Sequence, residues 1–65
     1  MPIVQIELLK GRTLEQRRAM AQKVTQAITE SLSVPPEAVS IIIREMEHDH
    51  YATAGVLRSD REAKK

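Results

Sequence analysis

The sequence has 65 residues, ten of them basic and nine acidic, with a formal net charge of +1 and no cysteine. A chain this short buries only about 60% of the surface that its unfolded state exposes, and without disulfides we expect self-association to complete the core. The balanced charge argues against nucleic acid as a partner, and no segment approaches the roughly 20 apolar residues of a membrane span. The first ten residues lack a secretory pattern, so we expect one cytoplasmic domain over residues 1–65.

The first predicted element is a strand over residues 3–9. Its apolar residues Val4, Ile6 and Leu8 alternate with polar ones, which is the period of a strand with one face turned to the core. We therefore expect one face of this strand to be covered and the other to be more open.

A long amphipathic helix is predicted next. Thr13 followed by Gln16 matches a capping box, in which each side chain satisfies a free backbone N–H at the helix start. Apolar residues then recur at helical spacing over about residues 14–32. Pro35 and Pro36 prevent any continuation, because proline lacks an N–H and disfavours the helical conformation in the residue before it.

A second strand is predicted over residues 39–46. The run Ile41–Ile43 is apolar on both faces, which indicates burial from both sides. One helix covers only one face, so we expect a second subunit on the other. The helical connection between the strands is long enough for a crossover between parallel neighbours.

The last third of the chain carries weaker signals. Residues 51–55 predict a turn or short hairpin, and the charged residues 58–65 predict a frayed tail. The expected fold is therefore an α+β unit with two parallel strands, one long helix and a short C-terminal hairpin.

Pro2 is the first candidate for chemistry. Removal of Met1 would leave it as a secondary amine, and apolar surroundings or nearby cations lower the pKa of such an amine by disfavouring its charged form. An unprotonated amine can act as a general base. Many proteins begin with Met-Pro for no catalytic reason, so this residue alone decides nothing.

Further motifs change that interpretation. Pro2-Ile-Val-Gln-Ile, Gly-Arg-Thr-Leu-Glu-Gln16, Ile-Ile-Arg-Glu-Met46 and His-Tyr-Ala-Thr-Ala-Gly55 together resemble the 4-oxalocrotonate tautomerase family over residues 2 to about 60. The resemblance implies a β-α-β subunit whose strands join those of a neighbour, in a hexamer built from dimers. It also implies keto–enol tautomerisation of small 2-hydroxy-dienoates such as 2-hydroxymuconate, with no cofactor and no metal.

The resemblance assigns roles to individual residues. Pro2 matches the general base and acid, and Arg12 matches an arginine that holds a substrate carboxylate in a neighbouring subunit's site. The backbone around Leu9 would add a contact, and Tyr51 falls where an aromatic residue keeps the proline pocket apolar. Ser40 departs from the family, which has a second substrate-binding arginine there. A neutral hydroxyl is a weaker carboxylate ligand than a guanidinium, so turnover of a dicarboxylate is put in doubt.

Other interpretations of these residues stay open. Arg44 lies on the same strand face as Ser40, but about 13 Å away, and we expect an ion pair or solvent for it rather than substrate. His48 and His50 flank an aspartate and are competent metal ligands, although surface histidines are commoner. Tyr51 also fits simple packing. We expect Met20 and Met46 to fill the core.

Two other functions fit the same fold. Hydration or dehalogenation of small unsaturated acids needs a carboxylate to position water, and residues 51–57 contain none. The other is a non-catalytic oligomer that binds a small ligand, which the loss of arginine at Ser40 favours. Retention of Met1, which would acylate the proline nitrogen, would favour it too.

Overall fold

The structure is a computed structural model that describes residues 1–63. Its main elements are two longer strands separated by a long helix, followed by a hairpin and a short helix. In chain order these are β1 (Ile3–Leu9), α1 (Leu14–Leu32), a 3-10 turn (Pro36–Ala38), β2 (Ser40–Met46), a second 3-10 turn (His48–His50), β3 (Ala52–Thr53), β4 (Val56–Leu57) and α2 (Arg58–Ala63). The predicted β-α-β unit is confirmed.

Strands β1 and β2 pair in parallel. The register runs from Ile3 opposite Ser40 to Leu9 opposite Met46. The predicted second strand began one residue earlier, at Val39. In the structure the Val39 N–H donates to the Pro36 carbonyl at 3.1 Å, so Val39 belongs to the end of the 3-10 turn and not to β2.

The predicted capping box begins α1. The Thr13 hydroxyl accepts from the Gln16 N–H at 3.1 Å, and the Gln16 side-chain carbonyl accepts from the Thr13 N–H at 2.9 Å. The helix ends at Ser33, which adopts the left-handed conformation with φ of 56°. Pro35 lies two residues beyond, as is common after a helix C-terminus.

Helix α1 lies across one face of the sheet. Leu8 of β1 and Met20 of α1 line a shared cavity, and Ala21 and Ile43 line another. The apolar residues that alternate along β1 are the half-buried ones, as the sequence predicts. The alternation of apolar and polar residues thus turns the apolar face of β1 towards α1.

The opposite face of the sheet is not covered by any element within residues 1–63. Ile3 is 61% exposed and Ile42 is 39% exposed, which agrees with the prediction that Ile41–Ile43 needs a partner. Among residues 1–62 no side chain is fully buried. The radius of gyration is 15.4 Å, whereas a compact domain of this length has about 11 Å. The single chain therefore lacks a closed core.

The C-terminal hairpin turns tightly. Ala54 and Gly55 connect β3 to β4 with φ of 51° and 77°, and two successive positive φ angles are what a type I′ turn requires. The predicted hairpin is therefore confirmed.

The prediction of a frayed tail from residue 58 is wrong for residues 58–63. They form α2, in which Arg58 and Glu62 face each other one turn apart and Arg61 donates to the Thr53 carbonyl at 2.9 Å. These contacts hold the segment against the hairpin, and composition alone did not show them. Residues 64 and 65, the rest of that predicted tail, lie outside the described residues. No helix within residues 1–63 has the length and apolar character needed to cross a membrane.

Candidate active site

A cleft of about 340 Å³ lies where β1 ends. Its walls combine apolar side chains from the strand with cationic groups from the loop, from the second 3-10 turn and from α2. The lining residues are Leu8, Leu9, Lys10, Gly11, Arg12, His48 and Arg58. The structure thus brings two predicted site residues, Leu9 and Arg12, to one place.

Arg12 reaches this cleft through a glycine turn. The last rung of the sheet is the N–H of Lys10 donating to the Met46 carbonyl at 2.9 Å. Gly11 then adopts φ of 129°, a conformation that side-chain-bearing residues rarely take. Within residues 1–63 no carboxylate pairs with the Arg12 guanidinium, so its charge stays available to an anion.

His48 closes one side of the cleft. Its Nε2 lies 3.0 Å from the Lys10 carbonyl and its Nδ1 lies 2.7 Å from Glu62 Oε1. Both neighbours are acceptors, so the doubly protonated ring satisfies both contacts. The hydrogen bond to Glu62 and then that to Lys10 raise the pKa of His48, and the same bond lowers the pKa of Glu62.

These contacts leave neither ring nitrogen of His48 a lone pair for a metal ion. His50 is exposed, with Nε2 3.5 Å from Asp49 Oδ1. Within the described residues no group of three metal-ligating side chains comes together. The two histidines are thus placed in different surroundings, one in the cleft wall and one on the surface.

Pro2 and Ser40 lie at the other end of the sheet. The Ser40 N–H donates to the Pro2 carbonyl at 3.0 Å, and Ser40 is exposed. The length of β1 separates them from Arg12 by about 20 Å. One chain therefore does not bring the predicted base and the predicted carboxylate ligand together.

Arg44 and Tyr51 have simpler surroundings. Arg44 forms an ion pair with Glu7 across the strands at 3.0 Å, as predicted. The Tyr51 side chain is 41% exposed, and its carbonyl accepts from the Arg58 N–H at 2.8 Å. Tyr51 does not line the cleft at the end of β1 or either of the two cavities beside α1.

Among the residues of the cleft that sequence reasoning missed, His48 and Arg58 come from outside the β1 strand end. The sequence predicts a surface position for His48 and a frayed tail for Arg58. The i, i+4 spacing of Arg58 and Glu62 was the one local signal for a helix there. The contact of His48 with Lys10 joins residues 38 apart in sequence and has no local signal.

Comparison with known proteins agrees with this architecture. The family described as Tautomerase enzyme matches residues 2–61. A 2-hydroxymuconate tautomerase of Bacillus subtilis is 45% identical over 62 residues, covering 95% of this chain and 100% of that protein.

Solved structures show the same fold. One is a 4-oxalocrotonate tautomerase isozyme from Methylibium petroleiphilum, with a TM-score of 0.94 and 39% identity over 98% of this chain and 100% of the other. Another is a heterohexameric 4-oxalocrotonate tautomerase from Chloroflexus aurantiacus, with a TM-score of 0.87 and 28% identity over 92% and 97%. The resemblance found in the sequence is confirmed: this chain belongs to the tautomerase family, among the 4-oxalocrotonate tautomerases.

Proposed function

We propose that the protein is a cofactor-independent keto–enol tautomerase for small 2-hydroxy-dienoates such as 2-hydroxymuconate. The observation that carries this proposal is Arg12, whose guanidinium has no carboxylate partner within residues 1–63 and lines a cleft that also offers apolar side chains. Such a group binds a carboxylate through charge-assisted, bidentate hydrogen bonds. Family membership supplies the reaction class.

In the proposed mechanism the Pro2 nitrogen accepts the proton of the 2-hydroxyl group. The oxygen electron pair forms the C2 carbonyl, the double bonds shift along the chain, and the distant carbon takes a proton from the prolinium. The proline returns to its neutral form, so one group acts first as base and then as acid. Arg12 binds the carboxylate and draws electron density towards it, which stabilises the dienolate-like transition state.

The proposed site is shared between subunits. Pro2 and Arg12 lie at opposite ends of β1, so a complete site takes each from a different chain. The open face of the sheet supports such an assembly, and one related structure is a heterohexamer. We propose a homohexamer here, in which Tyr51 and the Leu9 backbone complete the pocket around the proline.

The test begins with the intact mass and a ketonisation assay on 2-hydroxymuconate. We expect a protein without Met1, and Pro2→Ala should lower kcat by about 100-fold or more, the scale of general acid–base catalysis. Pro35→Ala is the matched control, because that proline precedes a 3-10 turn away from the cleft. Full activity in protein that retains Met1 would refute the mechanism.

A second candidate function is a non-catalytic oligomer that binds a small ligand. Ser40, exposed and neutral at the family's second arginine position, favours it. It predicts binding of unsaturated carboxylates without turnover, and Pro2→Ala would then change nothing. The same two measurements separate the two functions.

A further inference from the structure

We propose that Arg58 determines specificity by binding the second carboxylate of a dicarboxylate ligand, opposite the carboxylate held by Arg12. The inference rests on the proposed function for the class of ligand, a small unsaturated acid. It assigns to α2 the second cationic contact that Ser40 does not provide.

The position of Arg58 is fixed by its backbone. Its N–H donates to the Tyr51 carbonyl at 2.8 Å, which anchors the first residue of α2 beside the end of the 3-10 turn. The side chain is 49% exposed and lines the same cleft as Arg12. Two guanidinium groups from different elements therefore face one cavity.

Within residues 1–63, Arg12 has no carboxylate partner, and Arg58 shares its one partner, Glu62, with His48. Lys10 is neutralised by Glu47 at 2.8 Å. Glu62 lies 2.7 Å from the His48 ring but 3.5 Å from Arg58 Nε, so its closer partner is the histidine. The charges of Lys10 and Glu47 cancel. The charges of protonated His48 and Glu62 cancel as well. The two guanidinium charges remain.

The shape and lining suit a short dienoic diacid. The cleft volume of about 340 Å³ lies at the lower end of the about 300–1,000 Å³ of small-molecule sites. Leu8 and Leu9 offer apolar surface for a hydrocarbon chain, and the arginines offer donors for carboxylates. Arg44, the other arginine considered for this role, is occupied by Glu7.

The experiment compares two unreactive probes that differ by one carboxylate. The dianion trans,trans-muconate and the monoanion sorbate share a six-carbon diene, and calorimetry measures the binding of each to the assembled protein. We expect Arg58→Ala to weaken muconate binding by about 10-fold or more and to leave sorbate binding unchanged. Arg58→Lys, which keeps the charge but not the bidentate geometry, should fall between.

Arg18→Ala is the matched control, since it removes the same charge from an exposed residue of α1 outside the cleft lining. Unchanged muconate binding in Arg58→Ala would overturn the inference. An equal loss for both probes, or an equal loss in the control, would overturn it too. Should Arg58→Ala misfold by circular dichroism, Arg58→Gln replaces it under the same criteria.

These readouts do not require turnover. If the protein shows no tautomerase activity but muconate binding depends on Arg58, the proposed activity fails and the inferred site stands. If 2-hydroxymuconate is turned over but Arg58→Ala binds both probes as the parent does, only the inferred site fails.

Discussion

Ser40 marks the end of the sheet where the proposed base lies. It is exposed and its N–H donates to the Pro2 carbonyl, so the residue at this position stands next to the proline in space. Its hydroxyl offers no charge to a carboxylate, although the family places arginine here. In the proposed mechanism, the contact with a substrate carboxylate at this end of the sheet therefore depends on the side chain at position 40.

We expect Ser40→Arg to raise kcat/KM for a 2-hydroxy-dienedioate more than for a monoacid that lacks the second carboxylate. A charged hydrogen bond contributes about 1.5–3 kcal/mol, which corresponds to about 10- to 150-fold in rate if it acts in the transition state. Steady-state kinetics on both substrates is the measurement. Ser31→Arg, on the exposed side of α1, adds the same charge elsewhere; equal changes for both substrates would contradict the account.

The sequence predicts the structural surroundings of some residues and not of others. The alternation in β1 and the Gly-Arg turn placed Leu9 and Arg12 correctly at the strand end. The pairing of Arg44 with Glu7 could also be anticipated as an ion pair. The environment of His48 could not be predicted, because its hydrogen-bond partners, Lys10 and Glu62, are distant along the chain.

At the scale of elements, the contrast lies between α1 and α2. Helix α1 has a capping box, a periodic apolar face and a proline stop, all local signals, and its bounds agree with the prediction. Helix α2 has six residues, too few to be stable alone. Its helical form depends on contacts with the hairpin and His48, which a reading of local composition cannot supply.

The attachment of α2 should depend on pH. The pKa of His48 is raised in the folded state. Its contribution to the stability of the attached α2 is therefore complete below about pH 6.5 and is lost as the pH rises through the raised pKa. The pKa of Glu62 is lowered in the folded state. Its contribution to the stability of the attached α2 is therefore complete above about pH 4.3 and is lost as the pH falls through the lowered pKa. Arg58 is the other charged group that faces the pair, with its Nε 3.5 Å from Glu62.

Hydrogen-exchange protection factors for residues 58–63, corrected for the intrinsic pH dependence of exchange, test this expectation. Protection should fall as the pH rises above neutrality, and His48→Gln should remove that fall. His50→Gln is the matched control, because His50 contacts only Asp49 among the charged groups described, at 3.5 Å. Constant protection from pH 6 to 9 in the parent protein would show that the His48–Glu62 contact does not hold α2.

At the scale of the whole molecule, the exposed face of the sheet dominates. Ile3 is opposite Ser40 and Ile42 is opposite Gln5, so Ile3 and Ile42 are diagonal neighbours on that face. Helix α1 covers the opposite side. The chain is also extended, with a longest dimension of 47 Å. Both features leave apolar surface that a monomer would expose to water.

We therefore expect an oligomer in solution. Six chains of 7.3 kDa would give about 44 kDa by sedimentation equilibrium. Ile42→Lys should shift the protein towards smaller species and lower its thermal stability, since it places a charge in the expected interface. Gln22→Lys adds the same charge on the exposed face of α1 as a control. A folded, active monomer would contradict both the assembly and the shared site.

The seven residues of β1 keep Pro2 and Arg12 apart within each chain. This spacing predicts how two mutant copies of the gene behave when they are expressed together. With the site shared as proposed, a gene copy lacking the proline and a copy lacking the arginine are each inactive alone. Expressed together in randomly mixed hexamers, they would rebuild about one quarter of the sites with both groups intact. The strand's length thus predicts intragenic complementation between lesions at its two ends, and none between two lesions at the same end.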